Sequence, residues 1–232
     1  MNKKILIIGG SSGIGMNLIQ KLSINNQLYA SYYENKINVK NKNLKILKLD
    51  LENRNNIKNF VLKLNKIKFD IVLFISAVTP SKLNNNKSKF RNLDKNYFDK
   101  FININCYANL FLFEKLYKKK VFKKNATIIF FSSIAGSIEL RGKFKHNKPG
   151  GNLFYRISKA ALNCVVKNLA YDLKNFLNII AFHPGYINLG SGKKDATLNS
   201  SDVINKISRI IFLIKKKDNG NFLDFDKKRL KW

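Results

Sequence analysis

The sequence has 232 residues, the length of one large α/β domain, and is long enough to bury a substantial hydrophobic core. Hydrophobic residues make up 45% of the chain, a fraction that excludes an intrinsically disordered protein. The two cysteines, Cys106 and Cys164, are not part of a CxxC pattern and have no histidine nearby at ligand spacing. This pattern argues against a disulfide framework and against a metal site.

The net charge of +30 comes from 44 Lys and Arg residues set against 14 Asp and Glu residues. Such a charge ordinarily suggests a nucleic acid or an anionic membrane as partner. Here the lysines are spread along the whole chain among many Asn and Ile residues, as a codon-usage bias toward A+T would produce. We therefore expect no dedicated nucleic-acid partner and no membrane partner. A polyanion-binding protein is retained as an alternative, and it predicts binding to heparin that survives physiological salt.

The chain begins with two lysines and a short apolar run, residues 5–8, which ends at a glycine pair. This run is too short for the apolar region of a signal peptide, and no later run approaches the length of a membrane span. We expect a cytoplasmic protein.

Short strand-like runs alternate with helical segments along the whole chain. The predicted strands are residues 4–8, 28–33, 44–49, 70–75, 127–131, 178–182 and 222–225. Several of these runs are continuously apolar, as strands buried on both faces of a sheet should be. The alternation predicts an α/β fold with a doubly wound Rossmann-type parallel sheet flanked by helices, in a single domain over residues 1–232.

A glycine-rich segment, Gly9-Gly10-Ser11-Ser12-Gly13-Ile14-Gly15, follows the first predicted strand and precedes a predicted helix over residues 16–22. Glycines at positions 9, 13 and 15 permit a tight turn and a close approach of the backbone to a pyrophosphate. The free N–H groups at the start of the helix, together with the helix dipole, favour a phosphate there. The segment therefore predicts a dinucleotide-binding loop.

Residues 155–163, Tyr-Arg-Ile-Ser-Lys-Ala-Ala-Leu-Asn, form a strongly helical segment. The spacing of Tyr155 and Lys159 places both side chains on one face of that helix. An ammonium beside a phenol favours the phenolate, and so lowers the pKa of the tyrosine toward the range in which it serves as a general acid and base. In a lysine-rich chain such a pair alone fits a solvated helix face equally well.

Together, the G-x-x-x-G-x-G spacing and the Tyr-x-x-x-Lys pair resemble the short-chain dehydrogenase/reductase family. The segments Leu49-Asp50-Leu51, Ser76-Ala77 and Ser132-Ser133 resemble further motifs of that family. Three further segments are similar to the C-factor or sniffer-like carbonyl reductases. They are Gly150-Gly151 followed by residues 155–163, the segment His183-Pro184-Gly185-Tyr186-Ile187, and the ending with Trp232. The resemblance spans residues 5–232.

The resemblance implies an NAD(P)-dependent oxidoreductase that transfers a hydride between nicotinamide and a carbonyl or alcohol substrate. The catalytic residues implied are Asn105, Ser133, Tyr155 and Lys159. In these roles Tyr155 handles the proton, Ser133 hydrogen-bonds the carbonyl oxygen, Lys159 holds the nicotinamide ribose and lowers the tyrosine pKa, and Asn105 anchors a water relay. The cofactor-binding residues implied are Gly9, Ser11, Ser12, Gly13, Ile14, Gly15, Asp50, Leu51, Ser76, Ala77, Tyr155, Lys159, Pro184, Gly185 and Ile187.

The chain departs from the family pattern at three positions. Ile8 stands where a threonine usually precedes the glycines, Ile75 where an asparagine usually ties neighbouring strands together, and Leu189 where a threonine usually binds the nicotinamide amide. A nucleotide-binding protein of the same fold that signals or scaffolds without turnover is therefore an alternative. Asp50 has an alternative reading of its own, because either Asn53 or Asp50 is suited to cap the following helix.

The coenzyme choice depends on the end of the second strand, where Tyr32-Tyr33 is followed by Glu34. An acidic residue there favours a free ribose 2′-hydroxyl, whereas the surrounding lysine charge and the resemblance favour a 2′-phosphate. We expect NADP(H) rather than NAD(H). The resemblance also implies a homodimer or homotetramer with a small-molecule carbonyl or alcohol substrate.

Overall fold

A computed structural model of the protein describes residues 2–80, 87–143, 152–187 and 200–232. Its centre is a seven-stranded sheet in the order β3-β2-β1-β4-β7-β8-β9, and every neighbouring pair is parallel. The seven strands are β1 Lys4–Ile8, β2 Gln27–Tyr32, β3 Leu44–Lys48, β4 Phe69–Phe74, β7 Phe122–Phe131, β8 Leu177–His183 and β9 Phe222–Asp224. A small antiparallel hairpin of β5 Ser88–Lys89 and β6 Asn92–Leu93 stands apart from the sheet. The predicted α/β class and parallel sheet are confirmed.

Six α-helices accompany the strands within the described residues. They are α1 Gly13–Leu22, α2 Arg54–Lys63, α3 Lys95–Ile102, α4 Ala108–Lys118, α5 Leu153–Asp172 and α6 Ser200–Leu213. A π-helical turn, Asn103–Tyr107, joins α3 to α4. Side chains of Ser12, Asn53 and Asp94 cap α1, α2 and α3 by accepting a hydrogen bond from a backbone N–H in the first turn. No helix within the described ranges is both long enough and apolar enough to span a bilayer.

The strand residues divide alternately between two hydrophobic clusters, one on each face of the sheet. Leu6, Val72 and Phe130 pack with residues of α2, α4 and α5, whereas their neighbours Ile7 and Leu73 pack with residues of α1 and α6. Because both faces are covered, the central strands β1 and β4 are almost continuously apolar. The polar residues lie mainly in the outer strand β3 and in the first half of β7.

Two predicted boundaries were wrong by more than one residue. Helix α1 begins at Gly13 rather than at residue 16, because Ser12 caps it and so brings the last two glycines of the loop inside its first turn. Strand β7 begins at Phe122 rather than at residue 127. Its first half carries the exposed polar residues Lys123 and Asn125 and therefore lacks the apolar pattern of a buried strand.

Asp70, near the start of β4, contacts two lysine ammonium groups and one backbone N–H at the amino end of the sheet. Its carboxylate accepts hydrogen bonds from the Lys4 N–H (2.9 Å) and from the Lys123 ammonium (3.0 Å to each oxygen), and the Lys3 ammonium lies 3.6 Å away. Burial alone raises the pKa of this carboxyl, but these hydrogen bonds and charges together lower it below its usual value. The charged form of Asp70 therefore stabilises the folded state.

Replacement of Asp70 by Asn is expected to lower the free energy of unfolding by about 1 kcal/mol at pH 7. Because the folded pKa is depressed, this contribution is fully present above the unfolded pKa of about 3.9 and is lost as the pH falls through the folded value. Urea unfolding between pH 7 and pH 3.5 measures it. The matched control is Asp99→Asn, which breaks an exposed pair with Lys95 and is expected to cost at most a few tenths of a kcal/mol. Equal losses in both variants would contradict the prediction.

Candidate active site

The candidate site lies at the carboxyl end of the sheet. Strands β1, β4, β7 and β8 are neighbours, so the segments that follow them meet at one end of the sheet. These segments carry Gly9, Ser76, Ser133 and Gly185, which the sequence analysis had assigned to one site. The strand order changes direction between β1 and β4, and in an open α/β sheet such a switch point opens a crevice for ligands.

The glycine-rich loop is folded so tightly that side chains are excluded at two positions. Gly9 has a φ of +90°, and a Cβ atom on it would lie 2.6 Å from the Ser76 backbone nitrogen. A Cβ atom on Gly15 would lie 2.4 Å from the Gly9 carbonyl oxygen. The Ser12 hydroxyl accepts a hydrogen bond from the Gly15 N–H at 3.0 Å and fixes the start of α1. The loop therefore presents backbone rather than side chains to the crevice, as a phosphate-binding loop requires.

Ser76 lies directly beside this loop. Its hydroxyl oxygen is buried, and among the described residues it has no hydrogen-bond partner. A buried hydroxyl of this kind costs free energy unless a ligand or an ordered water satisfies it. The bare backbone at Gly9 and the hydroxyl of Ser76 together fit the polar sugar and phosphate groups of a nicotinamide dinucleotide.

Ile75 stands where an asparagine was expected to tie the strands together, and the structure shows that the tie is made by the backbone. The N–H groups of Ile75 and Ser76 both donate to the Ile8 carbonyl oxygen, at 2.8 and 3.0 Å. The Ile75 side chain itself is buried in the cluster packed against α1 and α6. Losing the asparagine therefore leaves β1 and β4 joined.

Ser133 and Tyr155 come near each other in the fold although 22 positions separate them, and the Ser133 hydroxyl lowers the pKa of the Tyr155 phenol. Ser133 follows β7 and caps the short 3-10 turn Ile134–Gly136, accepting a hydrogen bond from the Ala135 N–H at 3.1 Å. Tyr155 lies in the first turn of α5. The structure therefore brings two predicted catalytic hydroxyls to one point.

Lys159 lies one turn further along α5 and is 2% exposed. Its ammonium donates a hydrogen bond to the Phe131 carbonyl oxygen at 2.8 Å and lies 5.8 Å from the centroid of the Tyr155 ring. Burial lowers the pKa of this ammonium from 10.5 to about 8. Keeping Lys159 charged beside the tyrosine therefore costs free energy in the folded protein.

The structure does not show the predicted lowering of the Tyr155 pKa by Lys159. Burial raises the pKa of the phenol, and the hydrogen bond with Ser133 offsets this only in part. The helical spacing correctly placed the two side chains on one face. It did not anticipate that the ammonium would lie over the ring and bind a carbonyl oxygen of β7.

Asn105 is fully buried in the π-helical turn, and its side chain joins two parts of the site. The amide exchanges two hydrogen bonds with the backbone of Val78, at 2.7 and 3.0 Å, and donates a third to the Ser158 hydroxyl at 3.0 Å. Ser158 in turn donates to the Tyr155 carbonyl oxygen at 2.9 Å. The side chain of Asn105 thus ties the segment after β4 to the helix that carries Tyr155.

Asn163 makes a second connection that the sequence analysis did not assign. Its amide oxygen accepts a hydrogen bond from the Ser132 hydroxyl at 2.5 Å, and its amide nitrogen donates to the Gly136 carbonyl oxygen at 3.2 Å. Gly136 packs so closely on α5 that a Cβ atom there would lie 2.6 Å from the Lys159 carbonyl carbon. The signal was present in the sequence, since Ser158 and Asn163 belong to the same motif as Tyr155 and Lys159.

The adenosine end of the candidate site lies at β2 and β3. Asp50 follows β3, and its carboxylate accepts a hydrogen bond from the Glu52 N–H at 2.9 Å. The helix cap is Asn53, which accepts from the Asn56 N–H at 2.9 Å, so the alternative in which Asp50 caps α2 is wrong. Leu51 is partly buried against the cluster that contains α2.

The remaining predicted cofactor-binding residues lie near the same end of the sheet. Pro184, Gly185 and Ile187 follow β8, Gly185 has a φ of +88°, and Ile187 is buried in the cluster of α1 and α6. Ser11, Ile14 and Ala77 are partly buried beside Gly9 and Ser76 in the chain. Leu189, Gly150 and Gly151 lie outside the described residues.

A family model described as short chain dehydrogenase matches residues 3–198 of this chain. The chain belongs to the short-chain dehydrogenase family. It is 30% identical to an uncharacterised oxidoreductase of Saccharomyces cerevisiae over 251 aligned positions, which cover 95% of this chain and 94% of the relative. Family membership makes the protein an oxidoreductase of the class that binds nicotinamide coenzymes.

Solved structures of this family share the fold over the whole chain. The carbonyl reductase Sniffer of Drosophila melanogaster superposes with a TM-score of 0.84 at 24% identity, covering 100% of both chains. A short-chain dehydrogenase/reductase from Burkholderia multivorans with bound NADP gives a TM-score of 0.85 at 20% identity, again covering 100% of both chains. At these identities the similarity establishes the fold.

Proposed function

We propose that the protein is an NADP(H)-dependent carbonyl reductase that uses Tyr155 as its general acid and base. The observation that carries the proposal is the convergence of Ser133, Tyr155 and Lys159, whose buried ammonium lies 5.8 Å from the centroid of the tyrosine ring. This group lies at the end of the sheet where the glycine-rich loop and Ser76 fit a dinucleotide. When bound, the nicotinamide supplies or accepts the hydride.

The side chains of this site have separate tasks in the proposed reaction. Ser133 donates a hydrogen bond to the carbonyl oxygen, on which negative charge develops as the carbon is reduced. Tyr155 gives its proton to that oxygen in reduction and takes it back in oxidation. A charged Lys159 favours the phenolate that remains after the proton has left, since opposite charges stabilise each other in a partly dry site. Asn105, Ser158 and Asn163 hold these groups in place.

The proposal is tested by titrating the protein with NADPH and NADH by fluorescence and then assaying a panel of aldehydes and ketones with the coenzyme that binds. We expect coenzyme binding and oxidation of NADPH with at least one member of the panel. Coenzyme binding without turnover of any substrate would instead favour the alternative of a nucleotide-binding signalling or scaffold protein.

The preference for NADP(H) is part of the proposal. The charge of the whole chain and the family resemblance support it, whereas the local charge at the ends of β2 and β3 opposes it. The net charge of +30 and the resemblance to carbonyl reductases favour a 2′-phosphate. Locally, however, the pKa of the exposed Tyr33 is raised, chiefly by the carboxylate of Asp50 and then by burial and by Glu34 and Glu52. This acidic group lies at the ends of β2 and β3, where the adenosine ribose is expected, and it opposes a second phosphate.

We expect Glu34→Gln to tighten NADPH binding about fivefold and to leave NADH binding within about twofold, because only the phosphorylated coenzyme gains from losing a nearby negative charge. Fluorescence titration of both coenzymes at low salt measures the ratio of their Kd values. Glu114→Gln, which removes an acid paired with Lys115 and Lys118 on α4, is the control for net charge. The same change for NADH and NADPH in Glu34→Gln would contradict the placement of Glu34 beside the ribose.

Four further predictions accompany this function. Residues 155–163 lead us to propose that the chain groups with the C-factor and sniffer-like carbonyl reductases. A homodimer or homotetramer and a cytoplasmic location stay predictions, as does the absence of a dedicated nucleic-acid partner.

A further inference from the structure

The chain reverses after β9 and returns along that strand. Leu223 pairs with Arg229 in an antiparallel bridge, and the Leu230 N–H donates to the Phe222 carbonyl oxygen at 2.7 Å. We call residues 226–232 the return segment. We propose that the return segment is a positioning element of the active site, which holds the turn after Ser133 against α5. This inference rests on the function proposed above.

Trp232 anchors the return segment to the core and to α5. Its ring stacks on the fully buried ring of Phe222, with centroids 5.6 Å apart and an interplanar angle of 27°. The Lys167 ammonium lies 5.5 Å from the centroid of the indole and donates to the Gly220 carbonyl oxygen at 3.1 Å. An aromatic stack and a cation over the indole fix the side chain in one orientation.

The backbone of the anchored segment binds the chain that follows the catalytic serine. The Lys231 carbonyl oxygen accepts a hydrogen bond from the Ser137 hydroxyl at 2.8 Å, and the Trp232 carbonyl oxygen accepts one from the Glu139 N–H at 3.1 Å. Ser137 is 4% exposed, and its hydroxyl also accepts a hydrogen bond from the Leu140 N–H at 3.1 Å. Ser137 therefore joins the return segment to the chain around Leu140 through two partly buried hydrogen bonds.

Ser137 is coupled to the reacting groups through one short turn. Its N–H donates to the Ile134 carbonyl oxygen at 3.1 Å, and the Gly136 N–H donates to the Ser133 carbonyl oxygen at 2.8 Å. Gly136 has no room to move toward α5, because it already packs on the backbone of Lys159. If the contacts at Ser137 are lost, the turn Ile134–Gly136 can therefore move only away from α5. Ser133, which is hydrogen-bonded to this turn, moves with it. A displacement of about 1 Å in a positioning group can cost about a hundredfold in rate.

The experiment compares Trp232→Ala and Ser137→Ala with Trp232→Phe, which keeps the stack on Phe222, and with Lys228→Ala, which changes an exposed side chain of the same segment. Each variant is measured for kcat, KM, Kd of NADPH and hydrogen exchange of residues 134–140. In Trp232→Ala and Ser137→Ala we expect kcat to fall about tenfold, Kd of NADPH to stay within about twofold, and exchange of residues 134–140 to rise. Trp232→Phe is expected to restore most of kcat, and Lys228→Ala to match the parent protein.

Two results would overturn the inference. One is unchanged kcat and unchanged exchange in Trp232→Ala. The other is an equal loss of coenzyme binding and kcat with exchange raised throughout the chain, which would mean that Trp232 supports the fold in general. Because exchange needs no substrate, the contact between the return segment and residues 134–140 is tested even if no carbonyl compound is reduced. Failure of the inference is thus separate from failure of the proposed function.

Discussion

Replacement of Tyr155 by Phe is expected to lower kcat for carbonyl reduction by about 10²- to 10⁴-fold, the range that a positioned general acid contributes. The phenylalanine keeps the ring and its edge-on contact with Phe101, whose centroid lies 6.4 Å away. The variant should therefore fold and bind NADPH as the parent does. Only the proton donor and its hydrogen bond with Ser133 are removed, so the loss reports the chemical step.

Single-turnover oxidation of bound NADPH measures this loss without interference from product release. The matched control is Tyr171→Phe, which removes an exposed hydroxyl from the same helix and is expected to leave kcat unchanged. If Tyr155→Phe retained more than about a tenth of the parent kcat, another group would be supplying the proton. A loss of less than about tenfold is smaller than the contribution of one positioned general acid.

Lys159→Met is expected to abolish most of the activity and at the same time to stabilise the protein. The lysine is buried with its ammonium bound to one carbonyl oxygen, and burial lowers its pKa to about 8. A lowered lysine pKa means that the folded state disfavours the charged form, whereas methionine fills a similar volume without a charge. Allowing for the hydrogen bond to Phe131 that is lost, we expect a gain of about 1–2 kcal/mol in the free energy of unfolding at pH 7.

The gain in the free energy of unfolding depends on pH, and the lowered lysine pKa determines the direction of that dependence. The cost of burying the charged lysine is fully present below the folded pKa of about 8. It is relieved as the pH rises from there toward the unfolded pKa of about 10.4, because the unfolded chain then binds the extra proton. The stability difference between Lys159→Met and the parent should therefore be constant from pH 6 to 7.5 and shrink above pH 8. Denaturant unfolding of both proteins over this range measures it, and a Lys159→Met variant less stable than the parent at pH 7 would contradict it.

The parts of the fold that the sequence predicted well are those in which one local pattern determines the structure. Short strand-like runs, several of them continuously apolar, located all seven strands of the sheet, and the glycine-rich loop located the start of α1 to within a turn. The start of β7 was missed because the exposed residues Lys123 and Asn125 have no such pattern. There Phe122 pairs with β4, but the register shifts before pairing resumes at Thr127, so no regular pattern marks the start of the strand.

Within the candidate site, local sequence patterns predicted only contacts between residues close together in the chain, such as Tyr155 and Lys159 on one helix face. No periodicity in the sequence brings Ser133 to Tyr155, and that pair came from the resemblance alone. The hydrogen bonds of Ser137 with the return segment join residues nearly a hundred positions apart, so no local pattern contains them. The direction of the Tyr155 pKa shift was also missed, because it depends on burial and on where the ammonium binds.

The return segment has a consequence for how copies of this protein can associate. An exposed outer strand offers unpaired backbone groups that can template pairing with another chain and, through repeated pairing, fibre formation. Strand β9 is shielded from such pairing by its own continuation, and on the opposite side of the molecule β3 carries the exposed Lys45 and Lys48. Both flanks of the sheet therefore resist intermolecular β-pairing, and any oligomer of this protein is expected to form through its helices.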